Sequence, residues 1–425
     1  MRTHLTHVRG NTLQMYSDTK MYSDTKMDGD VDAERLAANF DHLDEKLGDE
    51  VLNQVYRRLL AGCPVAKTAA HDGFALVTRY ADVVEVEKDC TRFSSAQGVI
   101  HPPHPGRDPS IPIEFDGPAH IAYRKLFMEV LSAPRVRGIV PYLRDLTERV
   151  LDAFAEGTDD DFVQKVAVQI PVRAVGRLLG FGEAANEQLQ AFAATVLEHA
   201  GTPAMLEAMR ELDALASTHL SQRRARPRDD YLTTLVQTDF GGRPLTEDEL
   251  RNIVRSFVFA GFETTARSIA SLVHHLVTHP ELQARMRSDP ASIEGIVEEG
   301  LRLFPPVHTM FRTVTAPTTL HDTSLAEGER LVLLYAAANR DPEQFEDAET
   351  FRPDRANPRQ HLAFGIGPHY CAGATLARAE IRILLEALIA RPPLELVGTP
   401  RHLPRLMMGQ MMGVDHLPLR FQGEH

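Results

Sequence analysis

The stretch FGIGPHYCAG at residues 364–373 surrounds one cysteine, Cys371, with residue types that can stabilise a thiolate. Gly365 and Gly367 permit a tight loop whose backbone N–H groups could converge on the sulfur, because glycine adopts backbone angles that other residues avoid. A helix predicted after the cysteine would point its positive N-terminal end at the same atom, which lowers the pKa of a thiol. A buried free cysteine beside a glycine turn is the alternative, but it leaves the spaced glycines and His369 unexplained. The pattern favours a stabilised thiolate.

A second motif, AGFET at residues 260–264, lies inside the longest predicted helix. Gly261 costs about 1 kcal/mol relative to alanine in a helix, and close approach of a ligand would explain it. Glu263 and Thr264 supply a carboxylate and a hydroxyl, which together could relay protons. An exposed polar helix face is the alternative. This motif therefore carries less information by itself than the cysteine loop.

Two further pairs have helical spacing. Glu299 and Arg302 are three residues apart and His120 and Arg124 are four apart, so each pair shares one face of a helix. Arginine suits carboxylates because its planar guanidinium can donate two parallel hydrogen bonds. Solvated surface pairs are the usual reading of such spacings, and the residues alone leave both readings open.

The elements that would position these motifs are mostly helical. Thr246 with Glu249 three residues later forms a capping-box signal for a helix that continues to about Thr278, and its length would be about 50 Å. We predict a single domain over residues 33–425, mainly α with a smaller β region. Residues 1–32 are predicted to be an unstructured extension, since MYSDTK at 15–20 is repeated at 21–26. The other predicted elements are helices at 50–60, 163–179, 187–198, 205–222, 293–304 and 373–390, a hairpin at 65–80 turning at 71–73, a long loop at 98–111, and strands at 330–334 and within 394–421.

The composition limits the classes of partner. The chain has 425 residues and a net charge of -13, which argues against binding to nucleic acid or an anionic membrane. No apolar run approaches the roughly 20 residues that span a bilayer, and residues 1–32 lack the apolar stretch of a signal peptide. Three cysteines without short spacing are neither a disulfide framework nor a zinc site, and Cys63 and Cys90 are expected to be ordinary half-buried thiols. We expect a cytoplasmic protein.

The cysteine loop resembles the haem-binding signature of the cytochrome P450 family. The resemblance extends over about residues 50–421 with all four motifs in the family's order, and FDGP at 115–118 and GATLAR at 373–378 resemble the soluble bacterial members. It implies a cytochrome P450 fold with haem b between the long central helix and the cysteine-loop helix. Cys371 would then be the iron ligand, whose thiolate donates electron density to the iron and favours O–O cleavage.

The resemblance also implies roles for other residues. Glu263 and Thr264 would be catalytic, next to the oxygen site, and Glu299 and Arg302 would form a buried structural pair with Arg355 as third partner, Arg352 being the alternative. The implied cofactor-binding residues are His120, Arg124, Ala260, Gly261, Arg312, His361, Phe364, Gly365, His369, Cys371 and Gly373. The implied substrate pocket includes residues 100–112 and, outside that loop, Ser256, Phe259, Ala260, His308, Thr309, Gln410 and Met411.

The function implied is a monooxygenase that inserts one atom of O2 into an apolar small molecule, by C–H hydroxylation or epoxidation, in secondary or catabolic metabolism. No flavin or iron–sulfur motif is present, so electrons would come from an external ferredoxin and ferredoxin reductase. Five arginines could form a basic patch for the ferredoxin: Arg135, Arg137, Arg359, Arg378 and Arg382. A peroxide-driven hydroxylase is one alternative, although the Glu263–Thr264 pair argues against it. A non-catalytic haem protein that senses or stores a ligand is the other.

Overall fold

A 32-residue helix, α10 (Glu247–Thr278), runs through the middle of the protein. The computed structural model describes residues 33–103, 107–156, 161–199 and 202–423. Thr246 Oγ1 accepts a hydrogen bond from the Glu249 N–H at 3.2 Å, and Glu249 Oε2 accepts from the Thr246 N–H at 2.7 Å, so the predicted capping box is present. At about 1.5 Å per residue the helix is about 48 Å long.

Helices pack around α10 on several sides, and its buried positions join the largest hydrophobic core. The other helices of the described residues are α1 (Ala33–Ala38), α2 (Asp49–Ala61), α3 (Tyr80–Lys88), α4 (Gly117–Leu131), α5 (Ala133–Glu156), α6 (Gln169–Leu179), α7 (Glu183–His199), α8 (Pro203–Ala225), α9 (Tyr231–Gln237), α11 (Pro280–Ser288), α12 (Ser292–Leu303), α13 (Tyr335–Ala338) and α14 (Ala374–Ile389).

The β region is smaller and centres on a five-stranded sheet in the order β1-β2-β7-β4-β3. Within it β2 and β7 are parallel and the other neighbours are antiparallel. Three two-stranded sheets pair β5 with β6, β8 with β11, and β9 with β10. The strands are β1 (Val65–Thr68), β2 (Phe74–Val77), β3 (Phe93–Ser94), β4 (Thr309–Val314), β5 (Thr318–Leu320), β6 (Thr323–Leu325), β7 (Arg330–Leu334), β8 (Leu394–Leu396), β9 (Arg401–His402), β10 (Val414–His416) and β11 (Leu419–Phe421).

This mainly helical architecture with a small β region confirms the predicted fold class. The hairpin of β1 and β2 turns through His71, Asp72 and Gly73, all three with positive φ. The segment predicted as one helix at 163–179 is a π-helical turn, Val163–Ala167, followed by α6. The predicted extension 1–32 and residues 104–106 of the predicted loop lie outside the described residues. Among the described helices, none is long and apolar enough to cross a membrane.

Candidate haem site

The cysteine loop between Phe364 and α14 is closed by its own backbone. The Cys371 N–H donates to the Phe364 carbonyl at 2.8 Å. Gly365 and Gly367 have φ of 62° and 74°, in the left-handed region that favours glycine. A Cβ on Gly367 would also lie 2.7 Å from the carbonyl oxygen of Glu87, so the loop passes close to α3. The two glycines are therefore needed for the path of the loop.

The Cys371 sulfur lies at the N-terminal end of α14. Burial raises the pKa of the thiol, whereas hydrogen bonds from the Gly373 and Ala374 N–H groups and the charges of Arg124 and Arg378 lower it. The N–H donors thus come from residues after the cysteine, and the prediction that the loop before it supplies them is not supported. These groups stabilise an anionic sulfur, as an iron ligand requires.

Two histidines and an arginine flank the loop on the side of α4. The rings of His120 and His369 have centroids 4.2 Å apart, and both side chains are buried. His120 Nε2 and His369 Nδ1 are buried without a hydrogen-bond partner among the described residues. Arg124 Nη2 donates to the Tyr370 carbonyl at 2.5 Å, and its charge acts on Cys371. Orphaned imidazole nitrogens beside a cationic guanidinium are suited to carboxylates, so these residues fit the propionate groups of a haem.

The middle of α10 has an accessible face of small side chains. Ala260 is exposed, and Ser256 and Thr264 are partly exposed, although most neighbouring positions of the helix are buried. Residues four apart lie on one face of a helix, so these three residues form a single strip. Thr264 Oγ1 donates to the Ala260 carbonyl at 2.9 Å, which places the hydroxyl on this face. The strip can accommodate a bound molecule beside α10.

Glu263, next to this strip, is fully buried and paired within its own helix. Arg267 Nη2 donates to Glu263 Oε1 at 3.0 Å, and the second oxygen, Oε2, has no partner among the described residues. Burial raises the pKa of Glu263, and the charge and hydrogen bond of Arg267 oppose that rise. A carboxyl group with a raised pKa and one unbound oxygen can accept and release a proton.

Gly261 has a packing role that differs from the predicted one. A Cβ at this position would lie 2.6 Å from Cγ2 of Val175 on α6, too close for any side chain without movement. The close approach that Gly261 permits is therefore between α10 and α6. The expectation that it makes room for a ligand is not supported.

Glu299 on α12 is the centre of a buried ionic cluster. Arg302 donates to both of its oxygens at 2.7 and 2.8 Å, and Arg355 Nε donates to them at 2.9 and 3.1 Å. The Arg352 backbone N–H donates to Glu299 at 2.7 Å, but its side chain turns outward to Glu346 and Asp347. The third charged partner is thus Arg355.

Arg302 also donates to the carbonyls of Asn339, Ala348 and Thr350, which ties α12 to the chain before the cysteine loop.

His361 was predicted to bind a propionate, and the hydrogen bonds of its ring do not support this prediction. Its Nε2 is 2.9 Å from Glu298 Oε2, and its Nδ1 accepts from the Ala363 N–H at 3.2 Å, so both nitrogens are occupied. Arg378 donates to both oxygens of Glu298 and lies 4.5 Å from the centroid of the Phe364 ring. Burial opposes ionisation of Glu298, but the hydrogen bonds from His361 and Arg378 lower its pKa to about 2. The cluster of His361, Glu298 and Arg378 therefore contacts the cysteine loop at Phe364 and supports it.

Arg312 on β4 is buried and already faces a carboxylate of the protein. Its Nη2 donates to Glu87 Oε1 at 2.5 Å, and the Tyr335 hydroxyl donates to the same oxygen at 2.8 Å. A Cβ on Gly365 would lie 3.2 Å from Glu87 Oε2, so this pair contacts the cysteine loop. A propionate contact by Arg312 stays a prediction.

The predicted pocket residues separate into two groups. Ser256 and Phe259 are partly exposed on α10, whereas Met411 belongs to the hydrophobic core near α2. His308 is buried, with Nδ1 3.0 Å from the Tyr56 hydroxyl. Thr309 is also buried and donates from Oγ1 to a backbone carbonyl of the terminal turn at 2.6 Å. The structure therefore does not support substrate contacts by His308 and Thr309, which are buried and hydrogen-bonded within the protein.

Gln410 has a different role from the substrate contact predicted for it. Its Nε2 donates to the Val99 carbonyl at 3.0 Å, and its carbonyl accepts from the His308 N–H at 2.8 Å. At the other end of the loop, the Asn252 side chain of α10 accepts a hydrogen bond from the Ile111 N–H at 2.9 Å. These bonds anchor both ends of the loop at residues 98–111, which was predicted to contribute to the pocket.

Sequence reasoning missed Arg267, Glu298 and Glu87. Arg267 could have been found, because an acid followed four residues later by a base is a pairing signal on a helix. The other two have partners 63 to 225 residues away, and no local spacing reveals such pairs.

Comparisons with known proteins show the family to which the chain belongs. Residues 203–404 match the family model described as Cytochrome P450. A steroid C26-monooxygenase of Mycolicibacterium smegmatis is 30% identical over 375 residues, 87% of this chain and 92% of the relative. Mycinamicin IV hydroxylase/epoxidase of Micromonospora griseorubida is 34% identical over 353 residues, 81% and 88% of the two chains. The crystal structure of CYP108D1 from Novosphingobium aromaticivorans superposes with a TM-score of 0.79 at 28% identity, covering 92% of this chain and 98% of that one.

The fold and the named relatives identify a haem-containing oxidoreductase. The chain belongs to the cytochrome P450 family, with bacterial members as its relatives. It is a monooxygenase that acts on small molecules, which favours the enzyme over the alternative of a non-catalytic haem protein.

Proposed function

We propose that this monooxygenase uses haem b to oxygenate a bulky, mostly apolar molecule, with Cys371 as the iron ligand. The observation that supports the substrate class is the strip Ser256, Ala260 and Thr264, whose small side chains leave space along the accessible face of α10. The relatives include one named for a steroid and one named for mycinamicin IV. A substrate of secondary or catabolic metabolism fits this pattern.

Some residues of the site would bind the haem, and others would deliver protons. His120, His369 and Arg124 would bind the haem propionates, and the Gly373 and Ala374 N–H groups would hold the sulfur as thiolate. The haem supplies the activation of O2. Glu263 would accept and release a proton at Oε2, and the Thr264 hydroxyl, which is on the accessible face, would relay that proton toward the haem pocket.

Filling the strip should block the pocket while the thiolate ligation of the haem is retained. Ala260→Phe is expected to weaken by at least about 10-fold the binding of any sterol or macrolide that shifts the spin state of the wild-type iron, since about 1.4 kcal/mol of lost contact is enough. The measurement is a spectral titration of a library of sterols, macrolides and small aromatics.

Ala260→Ser is the matched control and should bind like the wild type. Acid–acetone extraction of each variant should release iron protoporphyrin IX, and the reduced carbon-monoxide complex should keep the long-wavelength Soret band of thiolate ligation. Equal affinities for Ala260→Phe and the control would contradict the pocket. A Soret band without that shift would contradict the ligand assignment.

An acidic ferredoxin is the proposed electron donor. Arg135, Arg137 and Arg382 are exposed on α5 and α14, which pack against each other next to the cysteine loop. Arg378 is committed to Glu298, and Arg359 pairs with Glu294 at 2.7 Å, so these two contribute less to the patch than was predicted. Cys63, Cys90 and Cys371 are all free thiols, which suits the reducing cytoplasm where such a donor works.

Reversing the charge of this patch should slow electron delivery. The double variant Arg137→Glu and Arg382→Glu is expected to raise the KM for an acidic ferredoxin about 10-fold at low salt, with a smaller effect at 0.15 M ionic strength, where the Debye length is about 8 Å. Steady-state reductant oxidation at several salt concentrations measures it. Arg226→Glu with Arg228→Glu, exposed positions after α8, changes the net charge equally and should leave the KM unchanged. The same KM in both double variants would reject the patch.

A further inference from the structure

Two segments that are distant in the sequence bring one carboxylate and two imidazoles together beside the β1–β2 turn. Asp41 and His42 lie in the connection between α1 and α2, and His71 lies in the turn. One oxygen of Asp41 and one nitrogen of each histidine lie within 4.8 Å of one another. His71 Nε2 is 2.8 Å from Asp41 Oδ1, and His42 Nδ1 is 4.0 Å from the same oxygen.

The hydrogen bonds of His42 define which of its nitrogens is available. The ring is 1% exposed, and its Nε2 lies 2.6 Å from the carbonyl oxygen of His101. A carbonyl can only accept, so Nε2 carries the hydrogen and Nδ1 of the neutral ring presents a lone pair. Nδ1 has no hydrogen-bond partner among the described residues, and it faces Asp41. Metal-binding histidines have this same arrangement, with the far nitrogen donating to a backbone carbonyl and the near nitrogen directed at the ion.

The His42 ring is held rigidly in this orientation. Its centroid lies 4.9 Å from that of Phe311 and 5.4 Å from that of Phe74. On another side it packs on Gly409, where a Cβ would lie only 2.3 Å from His42 Cδ2. A ligand that is immobilised by packing before the ion arrives loses little entropy on binding.

We propose that Asp41, His42 and His71 form a binding site for a divalent transition-metal cation, for which Zn²⁺ is the best match. Two imidazoles and one carboxylate are a ligand set typical of Zn²⁺, whereas Mg²⁺ and Ca²⁺ prefer oxygen ligands alone. Zn–N and Zn–O bonds of about 2.0–2.2 Å require the His42 and Asp41 atoms to approach by less than about 1 Å. Asp41 and His71 are partly exposed, at 33% and 23%, so an ion can enter and keep a water in its fourth position.

A bound ion would also act on the loop beside the haem pocket. His101, at the start of that loop, accepts from His42 through its carbonyl, and its Nε2 is 2.8 Å from the His71 carbonyl. Both histidine ligands are thus bonded to one residue of the loop. Binding would join the α1–α2 connection, the β1–β2 turn and the first part of the loop into one unit.

The test is Zn²⁺ binding by the haem-loaded enzyme. After removal of bound metals with a chelator, equilibrium dialysis against Zn²⁺ with elemental analysis is expected to give one site per chain that Mg²⁺ does not compete for. Asp41→Asn and His71→Gln, at partly exposed positions, should each weaken this site by at least about 100-fold, since even outer-shell partners of a metal ligand contribute about 10- to 100-fold. Zn²⁺ should also raise the Tm of the wild type and not that of the variants.

His416→Gln is the matched control, because His416 pairs with a single carboxylate, Asp161, at 3.2 Å and is similarly exposed. It should keep the site and the Tm response. The variants must have the wild-type Soret spectrum and the wild-type Tm in chelator, which confirms that they fold. If the wild type binds Zn²⁺ no more tightly than the combined Asp41→Asn and His71→Gln variant, the proposal is overturned. The same holds if His416→Gln loses the binding and His71→Gln keeps it.

Discussion

Replacing Glu263 with glutamine is expected to lower kcat about 100-fold, with substrate affinity and the reduced carbon-monoxide spectrum unchanged. The carboxyl group is fully buried, its Oε2 is unpaired among the described residues, and burial raises its pKa. An amide cannot release and regain a proton, and loss of a positioned acid–base group costs about 100- to 10,000-fold. The Arg267 hydrogen bond survives in the variant because the amide oxygen can still accept, so the fold should be retained.

Glu247→Gln is the matched control for this effect. Glu247 lies on the same helix and also pairs with an arginine, Arg224 at 2.5 Å, but it is exposed. It should retain the wild-type kcat. Thr264→Ala should instead keep consuming reductant while forming less product, because the defect then follows oxygen binding. A Glu263→Gln variant with the same kcat as the control would contradict the proton-delivery role.

Replacing Glu299 with glutamine is expected to lower the free energy of unfolding by about 3–5 kcal/mol. The carboxylate is 2% exposed and neutralises both Arg302 and Arg355, so its loss leaves two buried charges without compensation. The free energy of unfolding of a typical domain is only about 5–15 kcal/mol in total. Arg302 and Arg355 also bind carbonyls just before the cysteine loop, so the variant should lose haem on mild heating.

Glu294→Gln, on the same helix, separates the burial effect from the loss of an ion pair. Its partner Arg359 lies at 2.7 Å, but both side chains are more than half exposed, so the cost should be below about 1 kcal/mol. Urea unfolding followed by circular dichroism, together with the Soret band for haem retention, measures both variants. Equal unfolding midpoints for the two would show that the buried cluster adds no stability.

Motifs whose function depends on local spacing were predicted well from the sequence. The capping box of Thr246 and Glu249 and the pair of Glu299 and Arg302 depend on contacts within one helical turn. The fold class followed from the same helical periodicity.

The partners of buried polar groups were much harder to predict. His308 was predicted to line the substrate pocket, but its Nδ1 is hydrogen-bonded to Tyr56, 252 residues earlier. His361 was assigned to the cofactor, yet Glu298 occupies it. A buried polar group must find a partner, and the sequence alone does not tell whether that partner is a ligand or a distant part of the chain.

The tight turn at residues 407–411 matters for attempts to change what the enzyme oxidises. Within this turn, the Met407 sulfur accepts a hydrogen bond from Arg267, the ion-pair partner of Glu263. The Gln410 side-chain amide donates to the Val99 carbonyl and so holds the loop at residues 98–111. Gly409 packs directly on His42. Randomising this turn to broaden the substrate range would therefore perturb three sites at once: the Glu263–Arg267 pair, the loop at residues 98–111, and the surroundings of His42. Variants selected for new products should commonly waste more reductant, and restoring efficiency should require compensating changes on α10.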